Sequence, residues 1–139
     1  MPHNSTTTSG AIDAFQKYTE AFQKLDAGAV SRCFYEPAFF ITPREALALP
    51  TAEAVEQAYT RVMADMPPDY ARTEFSPLTE HRLADDLAMV SGSGIWKNRA
   101  NEDLMSFGMT YTLRRSRDGW RILVAAIHAA DGGPGTKAV

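Results

Sequence analysis

The sequence predicts an α+β domain: three N-terminal helices packed on a strongly curved, mostly antiparallel sheet, a cone-shaped barrel that encloses an apolar pocket. Apolar residues recur at helical spacing in the first half of the chain and alternate with a period of two from Tyr70 onward. Gly92, Gly94 and Gly108 lie inside predicted strands, where glycine favours the bends and bulges that curve a sheet. With 139 residues, 45% of them hydrophobic, the chain has the size of one domain with one core.

The helices are predicted from periodicity and from their end signals. An aromatic-rich face separated by polar residues predicts a first helix from about Ala11 to Leu25. Asp26 suits the N-cap of a short second helix through Phe34, because its carboxylate can accept a hydrogen bond from a free backbone N–H. Pro50-Thr51 opens a third helix, and Pro67-Pro68 ends it.

The remaining segments are predicted to be strands. Two short ones, Ala38 to Thr42 and Ala46 to Leu49, flank a loop before the third helix. Four long ones follow, separated by turn residues: Ala71 to Leu83, Leu87 to Asn98, Leu104 to Arg114 and Trp120 to Ala129. In the last two strands both faces are apolar or small, and helices can cover only one of them. The sequence therefore predicts that a second copy of the chain covers the other face, which gives a homodimer.

Composition narrows the function classes. A net charge of -3 and a charged fraction of 22% give neither nucleic acid nor a membrane surface an electrostatic reason to bind. The single cysteine, Cys33, cannot form an internal disulfide, and no motif for a metal, nucleotide or other cofactor is present. We therefore expect a cytoplasmic protein with no cofactor. Residues 11–130 are expected to form the domain, between a flexible N-terminus at 1–10 and a flexible tail at 131–139.

Three stretches of sequence resemble one known superfamily. Tyr18 to Gly28 (YTEAFQKLDAG) is similar to its usual first-helix exit, Phe34 to Phe40 to its first strand, and Asp118 to Ile122 with a downstream His128 to its final strand. The chain resembles the nuclear transport factor two-like superfamily, and within it a SnoaL-like branch. The resemblance covers roughly residues 11–130 and implies the cone-shaped fold. Because members include isomerases, dehydratases, cyclases and domains that only bind or dimerise, it implies no single activity.

Aromatic and apolar side chains are the candidate ligand-binding residues. Taken singly, each is more typical of a core. Taken together they favour a cavity, because helices over a cone leave its mouth incompletely filled, and such a cavity suits a flat or lipophilic small molecule. The candidates are Tyr18, Phe22, Tyr59, Met63, Trp96 and Tyr111.

His128 and Asp26 are the candidate catalytic residues. His128 shares strand parity with Trp120, Ile122 and Val124, and the resemblance implies that this face looks into the cavity, where an imidazole can exchange protons near neutral pH. If the opposite parity faces inward, Arg121, Leu123 and Ile127 replace that set.

Asp26 matches the position of an acid that pairs with a catalytic histidine in some dehydratases of the superfamily. The partner histidine is expected early in the first long strand, where this chain has Tyr70, Arg72 and Glu74 instead. The alternative is that Asp26 only caps the second helix. Glu74 alternates with charged residues, which favours a solvated face over a buried acid.

Three functional hypotheses follow from the sequence. The first is a SnoaL-like domain that binds a small apolar molecule in its pocket. The second is a cofactor-independent isomerase, cyclase or dehydratase that acts on a small carbonyl compound, with His128 as acid or base and tyrosines orienting the substrate. The third is a non-catalytic dimerisation module. The incomplete set of acids and bases favours a binding role over a catalytic one.

Overall fold

A computed structural model describes residues 3–129, so the predicted tail at 131–139 lies outside the described residues. The helices are α1 (His3–Gln23), α2 (Ala27–Ser31) and α3 (Ala52–Ala64). The strands are β1 (Phe34–Ile41), β2 (Ala46–Leu49), β3 (Tyr70–Phe75), β4 (Thr79–Ala84), β5 (Leu87–Asn98), β6 (Asp103–Ser116) and β7 (Gly119–His128).

The strands form one seven-stranded sheet in the order β2-β1-β7-β6-β5-β3, and β4 also pairs with β5. The pairing of β1 with β7 is parallel, and the other pairings are antiparallel. The first half of β5 pairs with β4 and the second half with β3. The predicted fold class is thereby confirmed: N-terminal helices pack on a curved, mostly antiparallel sheet.

The first helix begins earlier and ends earlier than its apolar pattern predicts. It starts at His3 instead of Ala11, which fits the low cost of extending a helix once a buried turn has formed, since each added residue gains one hydrogen bond. At its end Leu25 has a φ of 56°. The backbone N–H groups of Asp26 and Leu25 donate to the carbonyls of Ala21 and Phe22 at 3.1 and 2.8 Å. These two bonds close α1 with a Schellman motif.

Two other boundaries differ from the prediction for reasons of strand pairing. β1 begins at Phe34, inside the predicted second helix, because Phe34 pairs with Ile122 of β7. The predicted strand from Ala71 to Leu83 is two strands, β3 and β4, with Pro77 between them. Proline cannot donate to a strand ladder, so it interrupts the run.

The helices cover one face of the sheet, which we call the inner face. Its buried residues pack with those of the helices in a single core, whose fully buried members include Phe15, Val30, Val55, Val90, Leu113 and Ile122. The opposite side, the outer face, carries Phe39 and Ile41 of β1, which are 43% and 38% exposed. They lie beside Val124 and Ala126 of β7 in the sheet register.

A bulge in β7 sets which of its residues belong to each face. Leu113 of β6 pairs with Ile122, and the next residue back, Thr112, pairs with Val124, so Leu123 is left without a partner opposite it. An extra residue in one strand reverses the in-out alternation beyond it. After the bulge, Ala125 and Ile127 share the inner face with Ile122, while Val124, Ala126 and His128 lie on the outer face.

The Asp26 side chain caps α2, and its replacement should lower stability. Its Oδ1 accepts a hydrogen bond from the backbone N–H of Ala29 at 3.0 Å. Asp26→Ala should lower the free energy of unfolding by about 1 kcal/mol, because the N–H loses its acceptor. Asp26→Asn keeps an acceptor oxygen and should remain close to the wild type. Chemical denaturation of the three proteins measures this, and equal stability of the Ala and Asn variants would contradict the capping role.

Candidate ligand pocket

A cavity of about 510 Å³ lies between the helices and the inner face of the sheet. Its walls come from α1, α3 and the strands β1, β3, β5, β6 and β7, so every layer of the fold contributes. The apolar lining residues are Phe22, Phe40, Val62, Phe75, Trp96, Met105, Phe107, Met109 and Ile127. Three tyrosines, Tyr18, Tyr59 and Tyr111, complete most of the wall.

The three tyrosine hydroxyls form a hydrogen-bonded network centred on Tyr18. The Tyr18 hydroxyl lies 2.7 Å from that of Tyr111 and 3.0 Å from that of Tyr59. Tyr18 belongs to α1, Tyr59 to α3 and Tyr111 to β6, so the network joins both long helices to the sheet. All three residues are buried, and a buried hydroxyl that loses its partner destabilises the folded state.

Burial determines the protonation of this network. Desolvation raises the pKa of Tyr18, Tyr59 and Tyr111 well above the ordinary value for tyrosine, and the charge that each phenolate would place beside the next raises it further. All three therefore carry their protons at neutral pH. They are hydrogen-bond donors, and they are poor candidates for a general base.

The network contains one hydroxyl proton more than the two bonds through Tyr18 require. Each hydroxyl has a single proton, and the two bonds through Tyr18 use two of the three. The third belongs to the terminal phenol that accepts from Tyr18. Tyr59 and Tyr111 also interact with each other, so this proton can point to the other terminal phenol or to an acceptor inside the cavity.

Flat aromatic surfaces surround the network. The ring of Phe22 stacks on Trp96, with centroids 6.3 Å apart and planes at 25°. Phe107 approaches the same indole edge-on at 6.1 Å. Gly94 makes room for this arrangement, because a Cβ there would lie 2.7 Å from Cζ of Phe107. The result is a half-buried aromatic wall on which a planar molecule can pack.

The hairpin between β1 and β2 contributes the charged part of the lining. Within the described part of the chain, Arg44 and Glu45 are the charged residues that line the cavity, and both are exposed. The hairpin closes through bonds between the backbone N–H and carbonyl groups of Thr42 and Glu45. The charges therefore lie toward solvent, and the interior is apolar apart from hydroxyl groups.

His128 lies on the outer face of the sheet, so the expectation that it faces the cavity is wrong. The bulge at Leu123 reverses the parity on which that expectation depended, and Ile127 takes the inward position. The His128 Nδ1 lies 2.9 Å from the carbonyl of Ala129, and its Nε2 lies 3.0 Å from the Thr110 hydroxyl. Because a carbonyl only accepts, Nδ1 carries the proton, and in the neutral ring Nε2 accepts from Thr110.

The remaining candidates divide between the pocket and other places. Tyr18, Phe22, Tyr59, Trp96 and Tyr111 line the cavity as predicted.

Met63 is half-buried against the core beside the cavity, and its neighbour Val62 lines the wall instead. Asp26 is exposed and serves as the N-cap of α2. Glu74 is an exposed partner of Arg72, at 2.7 Å, as its charged alternation predicted.

Several lining residues were missed by the sequence argument, although a signal for some of them was available. Phe107 and Met109 share strand parity with Tyr111, so assigning Tyr111 to the pocket would have added them. Phe40 and Phe75 have no such signal, because their positions depend on which strands become neighbours.

The buried tyrosines should make the protein sensitive to alkali. Their folded-state pKa is raised above the unfolded value of about 10, so above that pH the native state keeps protons that the unfolded state loses. The free energy of unfolding should fall by about 1.4 kcal/mol per pH unit for each such tyrosine. Tyr111→Phe should flatten this slope by about one such increment. Phe15→Leu, which keeps every tyrosine, should lower stability without changing the slope. Urea unfolding across alkaline pH measures both, and identical slopes for the wild type and Tyr111→Phe would contradict the account.

Several solved structures have a fold similar to that of this chain. A domain of unknown function with a cystatin-like fold from Nostoc punctiforme superposes with a TM-score of 0.75 at 14% identity, over 96% of this chain and 83% of that one. An NTF2-like protein with a cystatin-like fold from Novosphingobium aromaticivorans gives 0.70 at 17% identity, over 97% and 90%. A ketosteroid isomerase-like protein from Erwinia carotovora atroseptica gives 0.68 at 20% identity, over 87% and 94%.

The sequence comparisons agree with these superpositions. No curated protein matches the chain. Within the described residues, no helix is long and apolar enough to cross a membrane, and no group of three or more His, Cys, Asp or Glu side chains is placed to hold a metal ion.

Residues 9–130 match the family described as NTF2-like protein (DUF6841). The chain therefore belongs to this NTF2-like family.

Proposed function

We propose that the protein binds a small, flat and mostly apolar molecule that carries one hydrogen-bond-accepting oxygen. The observation that carries the proposal is the tyrosine network, whose third hydroxyl proton can turn from the other terminal phenol to an acceptor inside an otherwise apolar cavity. Pockets that are largely apolar with a few converging polar groups are typical small-molecule sites, in which the polar groups orient the ligand.

The other hydroxyl groups of the lining support a ligand with few polar atoms. The Thr19 hydroxyl donates to the carbonyl of Gln16 at 2.8 Å. The Thr73 hydroxyl bonds with that of Tyr70 at 2.7 Å. Both hydroxyls already have a protein partner, and Thr42, the remaining threonine of the lining, is half-buried beside the hairpin between β1 and β2. We therefore place the ligand oxygen at the tyrosine network, whose Tyr59 and Tyr111 are the most buried hydroxyl-bearing residues of the lining. Further polar atoms on the ligand would lose their hydration without gaining partners.

A catalytic role has less support than binding. Isomerisation, cyclisation or dehydration of a carbonyl compound needs a base or a proton shuttle at the reacting atoms. Among the described residues that line the cavity there is no histidine, and the single carboxylate, Glu45, is exposed. The likeness to a ketosteroid isomerase-like protein is at 20% identity and bears on the fold alone.

A matched pair of ligands tests the proposal directly. Tetralone and tetralin share a bicyclic frame, and only tetralone has a carbonyl oxygen. The wild type should bind tetralone tighter by roughly two- to tenfold, which is the value of one net hydrogen bond. Of Tyr59→Phe and Tyr111→Phe, the variant that removes the donating terminal phenol should weaken this preference, and the other should keep it, because Tyr18 can still donate to the remaining phenol. Calorimetric titration measures the affinities.

Two control variants sharpen the experiment. Tyr35→Phe removes a hydroxyl from a ring that lies 5.6 Å from the Arg114 guanidinium, outside the cavity, and should keep the preference. Val62→Phe fills the cavity and should weaken both ligands, whereas Val124→Phe on the outer face should weaken neither. Equal affinity of the wild type for the two ligands, or no binding of either, would overturn the proposal.

We also propose that a second copy of the chain covers the outer face. Phe39 and Ile41 are large apolar side chains with 43% and 38% exposure, and Val124 and Ala126 extend their patch. This patch carries no formal charge, so an identical surface meets no like-charge repulsion when it packs against it. Burying the patch against itself would remove its apolar surface from water.

The oligomeric state tests this second proposal. Native mass spectrometry and light scattering should show a dimer for the wild type and a monomer for Ile41→Asp, because a buried unpaired carboxylate strongly disfavours an apolar interface. Leu83→Asp changes an exposed apolar residue of β4, outside the patch, and should remain dimeric. A monomeric wild type would show that the outer face is not an interface between copies.

A further inference from the structure

A second cavity, of about 530 Å³, shares no lining residue with the first. Its wall is formed by one side of α1, by α2 with the residues after it, and by the turn that leads from β6 into β7. Asp118 belongs to this turn, and Gly119, Trp120 and Arg121 are the first residues of β7. This cavity is separate from the proposed ligand pocket, and no residue of the outer-face patch lines it.

Three cations line the second cavity: Lys17, Arg32 and Arg121. The ion pairs between described residues are Arg72–Glu74, Arg82–Glu80 and Lys97–Asp103, and none of them includes these three. Two acids, Asp13 and Asp118, also belong to the wall, but neither lies within ion-pair distance of a cation there. Three cations and two acids give the lining a net positive charge in a chain whose formal charge is -3. Outside the lining, the Asp26 and Glu56 carboxylates come near the Arg32 guanidinium at Gly28, so Arg121 and Lys17 are the cations least offset by acids.

The guanidinium of Arg121 is held in position without being neutralised. Its Nη1 donates to the backbone carbonyl of Asp118 at 3.1 Å and to that of Trp120 at 3.4 Å. Carbonyl groups accept hydrogen bonds but carry no formal charge. The rest of the fork remains available for an oxyanion, which guanidinium groups recognise with paired donors.

The Cys33 thiol is half-buried in the same wall, and the nearby cations affect its pKa. Burial raises the pKa of this thiol, and the charged groups that act on it are Arg121, Lys17 and Arg32, all of which oppose the rise. All three cations therefore place a positive potential at one point on the wall, although they come from three separate segments of the chain.

Trp120 gives the cavity a fixed flat side. The guanidinium carbon of Arg82 lies 4.9 Å from the centre of its ring, and that of Arg115 lies 5.9 Å away. Gly10 of α1 packs so close that a Cβ there would lie 2.5 Å from the indole Nε1. These contacts cover part of the indole, and the part that lines the cavity is a rigid apolar piece of its wall against which the apolar part of a ligand can pack.

We infer that the second cavity is a binding site for a small organic anion, a carboxylate or phosphate attached to a planar group. Arg121, Arg32 and Lys17 would hold the oxyanion, and Trp120 would contact the planar group. The inference is independent of the ligand proposed for the first pocket, because the two cavities share no residue.

Alkylation of Cys33, the single cysteine of the chain, gives a direct test. The Cys33 thiolate attacks the CH2 carbon of iodoacetate or iodoacetamide and displaces iodide in both cases. The two reagents differ mainly in charge, so the thiolate fraction cancels in the ratio of their rates. The ratio of the iodoacetate rate to the iodoacetamide rate should exceed the same ratio for N-acetylcysteine amide, which has a free thiol and no charged ends. The excess should be roughly three- to tenfold, as a potential of one to two kT implies. Arg121→Gln and Lys17→Gln should each lower the ratio. Arg61→Gln, an exposed cation on α3 outside the cavity, should leave it unchanged.

Competition then tests binding itself. At fixed ionic strength, benzoate and inorganic phosphate should slow the iodoacetate reaction, whereas chloride should not. Benzoate should act at the lower concentration, since it alone can use Trp120. An NMR titration that follows the Trp120 indole N–H and the amides of residues 118–121 reports binding even if the thiol proves too hindered to react. A rate ratio equal to that of N-acetylcysteine amide, or no shift of these signals with either anion, would overturn the inference.

Discussion

One extra residue in the last strand, Leu123, decides what the concave side of this sheet contains. Because side chains alternate along a strand, an unpaired residue exchanges the two faces for everything that follows it. Ile127 consequently closes the apolar pocket, and His128 leaves it for the outer face. Without the bulge an imidazole would enter an apolar cavity, and the chemistry open to the site would be that of a proton-transfer enzyme.

The tyrosine network provides the polar counterpart of that apolar lining. Its members lie 41 and 93 residues apart in sequence, so their contact requires α1, α3 and β6 to be correctly placed together. Buried hydroxyl networks are specific in this way, because a packing error leaves at least one group without a partner. The same bonds that join the helices to the sheet also hold the hydroxyl that we propose as the ligand's donor. The fold and the proposed ligand binding therefore depend on the same three side chains.

The parts of the site that the sequence predicted are those governed by local periodicity. Tyr18 and Phe22 lie four residues apart on one helical face, and Tyr59 lies on the apolar face of α3, so helical spacing placed them correctly. The exchange of Met63 for Val62 is a rotation of one residue, about 100° around the helix axis, which an apolar stripe does not resolve. The family resemblance and the fold class agree with the structure for the same reason, since both rest on the order of elements.

What the sequence did not predict depends on contacts between distant segments. The parallel pairing of β1 with β7 joins the first and the last strand of the chain, and it explains why β1 begins at Phe34. The bulge exists only relative to β6, so the sequence of β7 alone left both parities open. The three cations of the second cavity likewise come from separate segments: Lys17 from α1, Arg32 from the residue after α2, and Arg121 from β7. No sequence motif connects them.

The position of β3 in the sheet has a consequence for how molecules reach the pocket. β2 and β3 end the order of the sheet, and each is hydrogen-bonded along one side, whereas β6 is bonded along both. Thr73 and Phe75 of β3, and the hairpin leading to β2, form part of the cavity wall. Segments with few supporting bonds open locally at a much lower free energy than the centre of a sheet. We therefore expect the edge strands of the cavity wall to open more easily than β6. If the cavity binds a ligand as we propose, these edges are where it would enter, while the tyrosines keep their contacts.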